Sequence, residues 1–380
     1  MEYNIEGADR CVRPKNTANN KGQTHRSAPT NRAERQHPTV VVDTCVRPKN
    51  LGIKPKTNHT MKRLFTLFVA LLLATATLYA GEEEITLTTP TGNIHGKLML
   101  PDSNVPCPVV IIIAGSGPTD MNGNSIGTTM TNNSLLYLAQ ELAANGIATV
   151  RYDKRGIGKS TAAGAKEEDL RFHHYIDDTA AWADMLATDT RFNKIVIAGH
   201  SEGSLIGMVA ATRSNAVQAY VSIAGCGSPA YEILEKQLQG QPMQIQQESA
   251  AICKELLEGR TVEDVPFYFS ALYRPSVQPY LISWFAYNPA VEIAKLTIPV
   301  LILQGDKDIQ VSTDEAYKLH AAQPASSLYI IKDMNHVLKH CDTMQQMAQL
   351  ATYSKPELPI KPELVSHIIE FVKEIEGDKN

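Results

Sequence analysis

Lys194-Ile195-Val196-Ile197-Ala198-Gly199-His200-Ser201-Glu202-Gly203-Ser204-Leu205 is the stretch whose reading decides the fold. Its first half is a short apolar run rich in β-branched residues, as expected of a strand covered on both faces. From Leu205 to Thr212 the apolar residues continue at helical spacing. The pentapeptide Gly199-His200-Ser201-Glu202-Gly203 therefore lies between a strand and a helix, the setting in which a serine is forced into a sharp turn with its hydroxyl exposed. Side chains two residues before and after that serine would collide, so the turn demands glycine at 199 and 203. A bare G-x-S-x-G is a weak signal; in this setting it predicts a nucleophile at Ser201.

Working outward, strands and helices alternate. Glu84 to Leu100 reads as two strands joined near Thr91-Gly92-Asn93. Further strands are predicted at Val109–Ile113, Ala148–Val150, Ala219–Ile223, Val300–Leu303 and Leu328–Ile331, with helices at Leu135–Ala144, Asp169–Ala187 and Pro362–Glu376. This order predicts an α/β fold, with a mostly parallel central sheet and helices on both faces. Between Ser228 and Ala294 the pattern changes to Gln-rich helical segments carrying Tyr231, Phe267, Tyr273, Tyr280 and Trp284, without a buried strand. We read residues 228–294 as a helical cap inserted over the C-terminal edge of the sheet, where ligands of open α/β sheets bind.

A serine attacks only when a base takes its proton and an acid orients that base. In this architecture the chain order is serine, acid, histidine. Asp308, in the acidic loop after Leu301-Ile302-Leu303-Gln304-Gly305, is the expected acid, and its neighbour Asp306 is read as a loop-capping residue. His336, in Lys332-Asp333-Met334-Asn335-His336 after the last core strand, is the expected base, with His340 its competitor. The spacing His336-x-x-x-His340 also suits a metal, but no third ligand matches it, and no metal is expected. His200 reads as a packed residue supporting the turn. Negative charge developing on a substrate oxygen needs backbone N–H donors. Glu202, after the nucleophile, is one; the other belongs to Ala114-Gly115-Ser116-Gly117-Pro118, with Ser116 first and Gly117 as alternative. A phosphate loop is excluded for Gly158-Lys159-Ser160, because Asp153 stands where the pattern needs glycine.

Residues from about Glu84 to Glu376 resemble the α/β-hydrolase superfamily, and within it the bacterial EstD-like carboxylesterases, relatives of the serine aminopeptidase group. The resemblance rests on Gly115-Ser116-Gly117-Pro118-Thr119-Asp120, Arg151-Tyr152-Asp153-Lys154-Arg155-Gly156, Gly199-His200-Ser201-Glu202-Gly203 and Asn335-His336. It implies a triad of Ser201, Asp308 and His336, activity on small-molecule esters with short acyl groups, and no cofactor. It also implies a structural role for Asp153 and Arg155. Ala114 departs from the His-Gly that opens the oxyanion loop of many relatives of the wider fold. Peptidases and thioesterases use the same triad; an aminopeptidase would need acids for a substrate ammonium, and Glu202, Glu232 and Glu235 are the candidates. A binding protein that keeps the fold without turnover is the bland alternative.

The 380 residues are 43% hydrophobic and 20% charged, which suits a globular protein with a sizeable core. The net charge of -4 conceals an asymmetry: residues 1–60 carry 11 Lys/Arg and 5 Asp/Glu, residues 81–380 carry 23 and 35. That acidic body argues against a nucleic-acid partner. Residues 1–60 contain Cys-Val-Arg-Pro-Lys-Asn twice, at Cys11–Asn16 and Cys45–Asn50, and lack apolar periodicity. They are expected to be disordered, or to precede a true start at Met61. Met61-Lys62-Arg63, the apolar run from Leu64 to Leu73 and the small residues Ala74, Ala76 and Ala80 have the layout of a signal peptide over residues 61–80. Export to the periplasm or medium follows, with no stable membrane association after cleavage. Cys107, Cys226, Cys253 and Cys341 would then meet an oxidising compartment, either paired in one of three ways or free and buried.

Overall fold

In the computed structural model, which describes residues 81–103 and 105–377, the apolar run ahead of the Gly115 loop becomes the fully buried strand β3 (Cys107–Ile113). The expected extension at 1–60 and signal segment at 61–80 lie outside the described residues. Alternate residues of β3 enter two different cores: Val109, Ile111 and Ile113 pack on one face of the sheet, Val110 and Ile112 on the other. A strand covered on both sides needs no polar face, which is why its sequence reads as an unbroken apolar run.

The other strands are β1 (Glu82–Thr89), β2 (Gly92–Met99), β4 (Ala148–Tyr152), β5 (Phe192–His200), β6 (Val217–Ile223), β7 (Val300–Gly305) and β8 (Ser327–Ile331). They form an eight-stranded sheet in the order β1-β2-β4-β3-β5-β6-β7-β8. β2 pairs antiparallel with both β1 and β4, and every pairing from β4 through β8 is parallel. The sheet is thus mostly parallel, as the alternation of elements requires. Helix α1 (Ser134–Ala144) covers one face; α2 (Phe172–Leu186) and α3 (Glu202–Arg213) contribute to the core on the other. The helix expected from Asp169 starts three residues later, because Glu167–Asp169 winds into a separate 3₁₀ turn.

The insertion between β6 and β7 is helical, with α4 (Ala230–Gln237), α5 (Met243–Leu257), α6 (Gln278–Phe285), α7 (Pro289–Ile293) and short turns between them. It joins the larger core: Phe172 of α2 stacks on Trp284 at 5.7 Å and 7°, and the Phe172 amide donates to Ser283 Oγ at 2.8 Å. After β7 come α8 (Thr313–Ala322) and, beyond β8, α9 (Gln346–Tyr353) and α10 (Pro362–Gly377). Helices α8 and α9 carry little apolar signal. The buried side chains of α9 are Gln349, Thr352 and Tyr353, so hydrophobic periodicity does not find it.

The stretch after β4 ties the strands to their loops. Asp153 accepts the amides of Met121 and Lys159, both at 2.8 Å. Arg155 forks onto Asp178 at 2.5 and 3.0 Å and also donates to the Ala163 carbonyl at 2.9 Å. Removing one partner of such a buried pair costs about 3–5 kcal/mol, because the other charge is left unpaired. Cys226, Cys253 and Cys341 are free thiols, and no helix of the described residues is long and apolar enough to cross a membrane.

Candidate active site

β3, β5, β7 and β8 run parallel, so the loops that leave their C-terminal ends emerge on one edge of the sheet. Those loops carry Ser116 and Gly117, Ser201, Asp308 and His336. At the end of β5, Ser201 adopts φ 56° and ψ −121°, a conformation that costs an L-residue about 1–3 kcal/mol and persists only when its surroundings enforce it. The enforcement is visible. Ser201 N–H donates to the Ile223 carbonyl at 2.9 Å, and α3 starts at the next residue. A Cβ at 199 would sit 2.1 Å from the Gly203 carbonyl oxygen, and one at 203 would sit 2.5 Å from that of Ile113. Only glycine allows α3 to approach the sheet so closely.

Asp308 is buried in the loop after β7. Its Oδ1 accepts the Gln310 and Val311 amides at 2.8 and 2.9 Å; its Oδ2 accepts from Gln304 Nε2 at 3.1 Å and from His336 Nδ1 at 2.7 Å. Burial by itself raises the carboxyl pKa, but the His336 charge and hydrogen bond, with the two amides, outweigh it and hold the group below its ordinary value. A carboxylate that accepts at Nδ1 leaves the proton there and the lone pair on Nε2 of His336. His336 is itself docked on the Ser201 turn: His200 Nε2 donates to the His336 carbonyl at 2.8 Å, and the two rings lie 4.9 Å apart. Asp306 is bonded elsewhere, accepting the Asp333 amide at 2.6 Å and the Lys307 ammonium at 3.2 Å. His340 is exposed. Among the described residues no three His, Cys, Asp or Glu side chains gather as a metal site.

Ser201 opens onto a cavity of about 540 Å³. Ser116 and Gly117 line one side of it, and the insertion supplies Leu234, Leu272, Tyr280, Leu281 and Trp284. Gly117 has φ 71°, and Thr119 Oγ1 donates to the Ser116 carbonyl at 2.8 Å, which holds the loop in its tight turn.

In fold, 76% of this chain resembles 99% of Est1E from Butyrivibrio proteoclasticus bound to ferulic acid, with a TM-score of 0.52 and 20% identity. It resembles the α/β hydrolase GrgF from a Penicillium species as closely, with a TM-score of 0.51 and 17% identity over 77% and 98% of the two chains. The chain has the α/β-hydrolase fold. The family model of serine aminopeptidase, S33, matches residues 127–280 of this chain. Esterase EstD of Thermotoga maritima is 26% identical over 264 residues, which is 68% of this chain and 60% of the length of that relative.

One group at this site carries no signal in a serine-hydrolase motif reading. Lys154, in the motif read as structural, is 2% exposed and donates to Glu202 Oε2 and to the Gly115 carbonyl, both at 2.6 Å. Tyr280 of α6 donates to the other Glu202 oxygen at 2.5 Å. Lys154 also stands 5.1 Å from the centre of the Tyr175 ring. Glu202 is thus buried and bonded on both oxygens. Glu232 is half-buried on α4 and Glu235 is exposed. The signal that marks Lys154 is a charged residue two positions after the end of β4.

Proposed function

We propose that this α/β-hydrolase is an exported serine esterase that cleaves carboxylic esters of apolar acids. The observation that carries the reading is the strained Ser201 turn with the buried His336–Asp308 pair docked on it through His200. Ser201 Oγ attacks the ester carbonyl carbon while His336 Nε2 takes the hydroxyl proton. Asp308 keeps the Nδ1 proton in place and stabilises the imidazolium. The carbonyl π pair moves to oxygen and is met by the Glu202 amide and by that of Ser116, with Gly117 as the alternative donor. Collapse of this intermediate breaks the bond to the alkoxy oxygen, which leaves as the alcohol with the proton from His336. Water then repeats the sequence on the acyl-enzyme, giving the acid and free Ser201.

An ester is favoured over a peptide with a free amino terminus by the charges at the cavity. A substrate ammonium needs an unpaired carboxylate. The two acids lining the cavity are both engaged, Glu202 with Lys154 and Glu167 with Arg274. The aminopeptidase reading keeps the support of the family model over residues 127–280. The kinship with an esterase and the apolar walls support esters of small apolar acids. Export rests on the signal-like residues 61–80, and N-terminal sequencing of the native protein tests it: a mature start after Ala76 or Ala80 supports export, and peptides from residues 1–60 count against it.

The deciding experiment is a panel of p-nitrophenyl esters beside aminoacyl p-nitroanilides, run on the wild type and on Ser201→Ala. Ester turnover lost in Ser201→Ala supports the reading. Amide cleavage without ester cleavage, or undiminished turnover in Ser201→Ala, overturns it.

A further inference from the structure

We infer that Lys154 is a positioning residue of the oxyanion site, a cationic clamp that holds both donor amides in register. The inference rests on the serine-hydrolase reading above. Lys154 Nζ donates at 2.6 Å to the Gly115 carbonyl, and that carbonyl belongs to the same peptide group as the Ser116 N–H. In a planar trans peptide the C=O and N–H point in opposite directions, so fixing one aims the other. A charged donor on the carbonyl also polarises the peptide group and makes its N–H the stronger donor. The second contact, at 2.6 Å to Glu202 Oε2, grips the residue whose own N–H is the other proposed donor. Glu202 is the first residue of α3, so its amide has no acceptor within the helix and is free for a substrate.

One buried ammonium therefore spans two loops that come from β3 and β5 and that no strand pairing reaches at this point. Thr119 pins the next carbonyl, that of Ser116, at 2.8 Å, so two successive peptide groups of the loop are held. Tyr280, from the insertion, closes the far side of Glu202 at 2.5 Å. The helical insertion is coupled to the oxyanion site through this one carboxylate. Lys154 touches no reacting atom in this arrangement; it acts through the amides it orients.

The test compares wild type, Lys154→Met and the double variant Lys154→Met/Glu202→Gln, which removes both charges and strands neither. The readouts are kcat and KM on p-nitrophenyl butyrate, the affinity of a trifluoromethyl ketone whose adduct with a serine carries an oxyanion, and the thermal unfolding midpoint. With the amides freed, kcat should fall about 10- to 100-fold, short of the loss of a donor itself, with KM within about twofold. Ketone affinity should fall in proportion to kcat in both variants, folded as judged by their unfolding transitions. Recovery of wild-type kcat in the double variant would assign the loss to a stranded Glu202 charge and overturn the clamp. So would a fall in kcat without a matching fall in ketone affinity. If Lys154→Met does not fold, the double variant carries the same comparison. A wild type that hydrolyses no ester defeats the esterase reading alone, and the ketone affinities still judge the clamp.

Discussion

His200 donates its Nε2 proton to the main-chain carbonyl of His336 across 2.8 Å, so the residue before Ser201 holds the loop that carries the proposed base. The tautomer follows from the acceptor, since a carbonyl can only accept. Burial first, and the neighbouring His336 charge second, lower the His200 pKa to about 3. His200 therefore stays neutral beside a ring that becomes cationic in the proposed mechanism.

That depressed value makes a stability prediction. The unfolded chain binds a proton at His200 near pH 6.5 and the folded chain does so only near 3, so acidification between those values favours unfolding. Urea unfolding of wild type against His200→Gln at pH 7 and pH 4.5 checks it. The stability loss on acidification should be smaller in the variant by about 2 kcal/mol or more, the linkage for one proton over that span. Equal losses in the two proteins would refute the assignment.

Asp308→Asn keeps the size of the side chain and removes the charge that holds the Nδ1 proton on His336. Turnover should fall by about 10⁴-fold with the fold intact, as expected when the imidazole takes the wrong tautomer. Steady-state kinetics with a circular-dichroism control measure this. The matching change at Asp306, which caps the Asp333 amide, should affect stability more than kcat.

Glu315 anchors the entry to the insertion, accepting the Gly227 and Ser228 amides at 3.1 and 2.7 Å and the ammonium groups of Lys236 and Lys318 at 2.7 and 3.0 Å. Burial opposes its charge, but those lysines and Ser228 prevail and lower its pKa from 4.5 to about 2. Its contribution, on the order of 3 kcal/mol, is fully present above pH 4.5 and lost as the pH falls toward 2. Glu315→Gln should lower stability at pH 7 and flatten the acid limb of the stability profile, as read by denaturant titration from pH 7 to 2.5.

The apolar cavity makes a prediction about chain length. Each methylene of the acyl group that enters it should raise kcat/KM about fourfold, from roughly 0.8 kcal/mol of transfer free energy, until the walls are reached. A p-nitrophenyl series from acetate upward locates that limit. Leu281→Trp, which fills part of the space, should shift the optimum to shorter chains; an unchanged profile would exclude this cavity as the acyl site.

The strained turn at Ser201 was legible because its signal is local: a buried strand, a glycine-flanked turn and a helix lie within about twenty residues, and sterics allow few other readings. The parallel sheet was legible for a related reason, since strands covered on both faces leave unbroken apolar runs. Chain order pointed to Asp308 and His336, but their 2.7 Å contact joins residues 28 apart in sequence and exists only because β7 and β8 lie side by side. Only the tertiary structure decided what Glu202 does. Its sequence neighbours allow a free carboxylate that would hold a substrate ammonium, whereas folding brings Lys154 and Tyr280 onto it from 48 and 78 residues away. Helix α9, whose buried face is Gln349, Thr352 and Tyr353, was likewise beyond a reading based on hydrophobicity. Periodicity and turn chemistry are written in adjacent residues. The pairing of a buried charge depends on how the chain returns to it, and that return is set by the packing of the whole sheet.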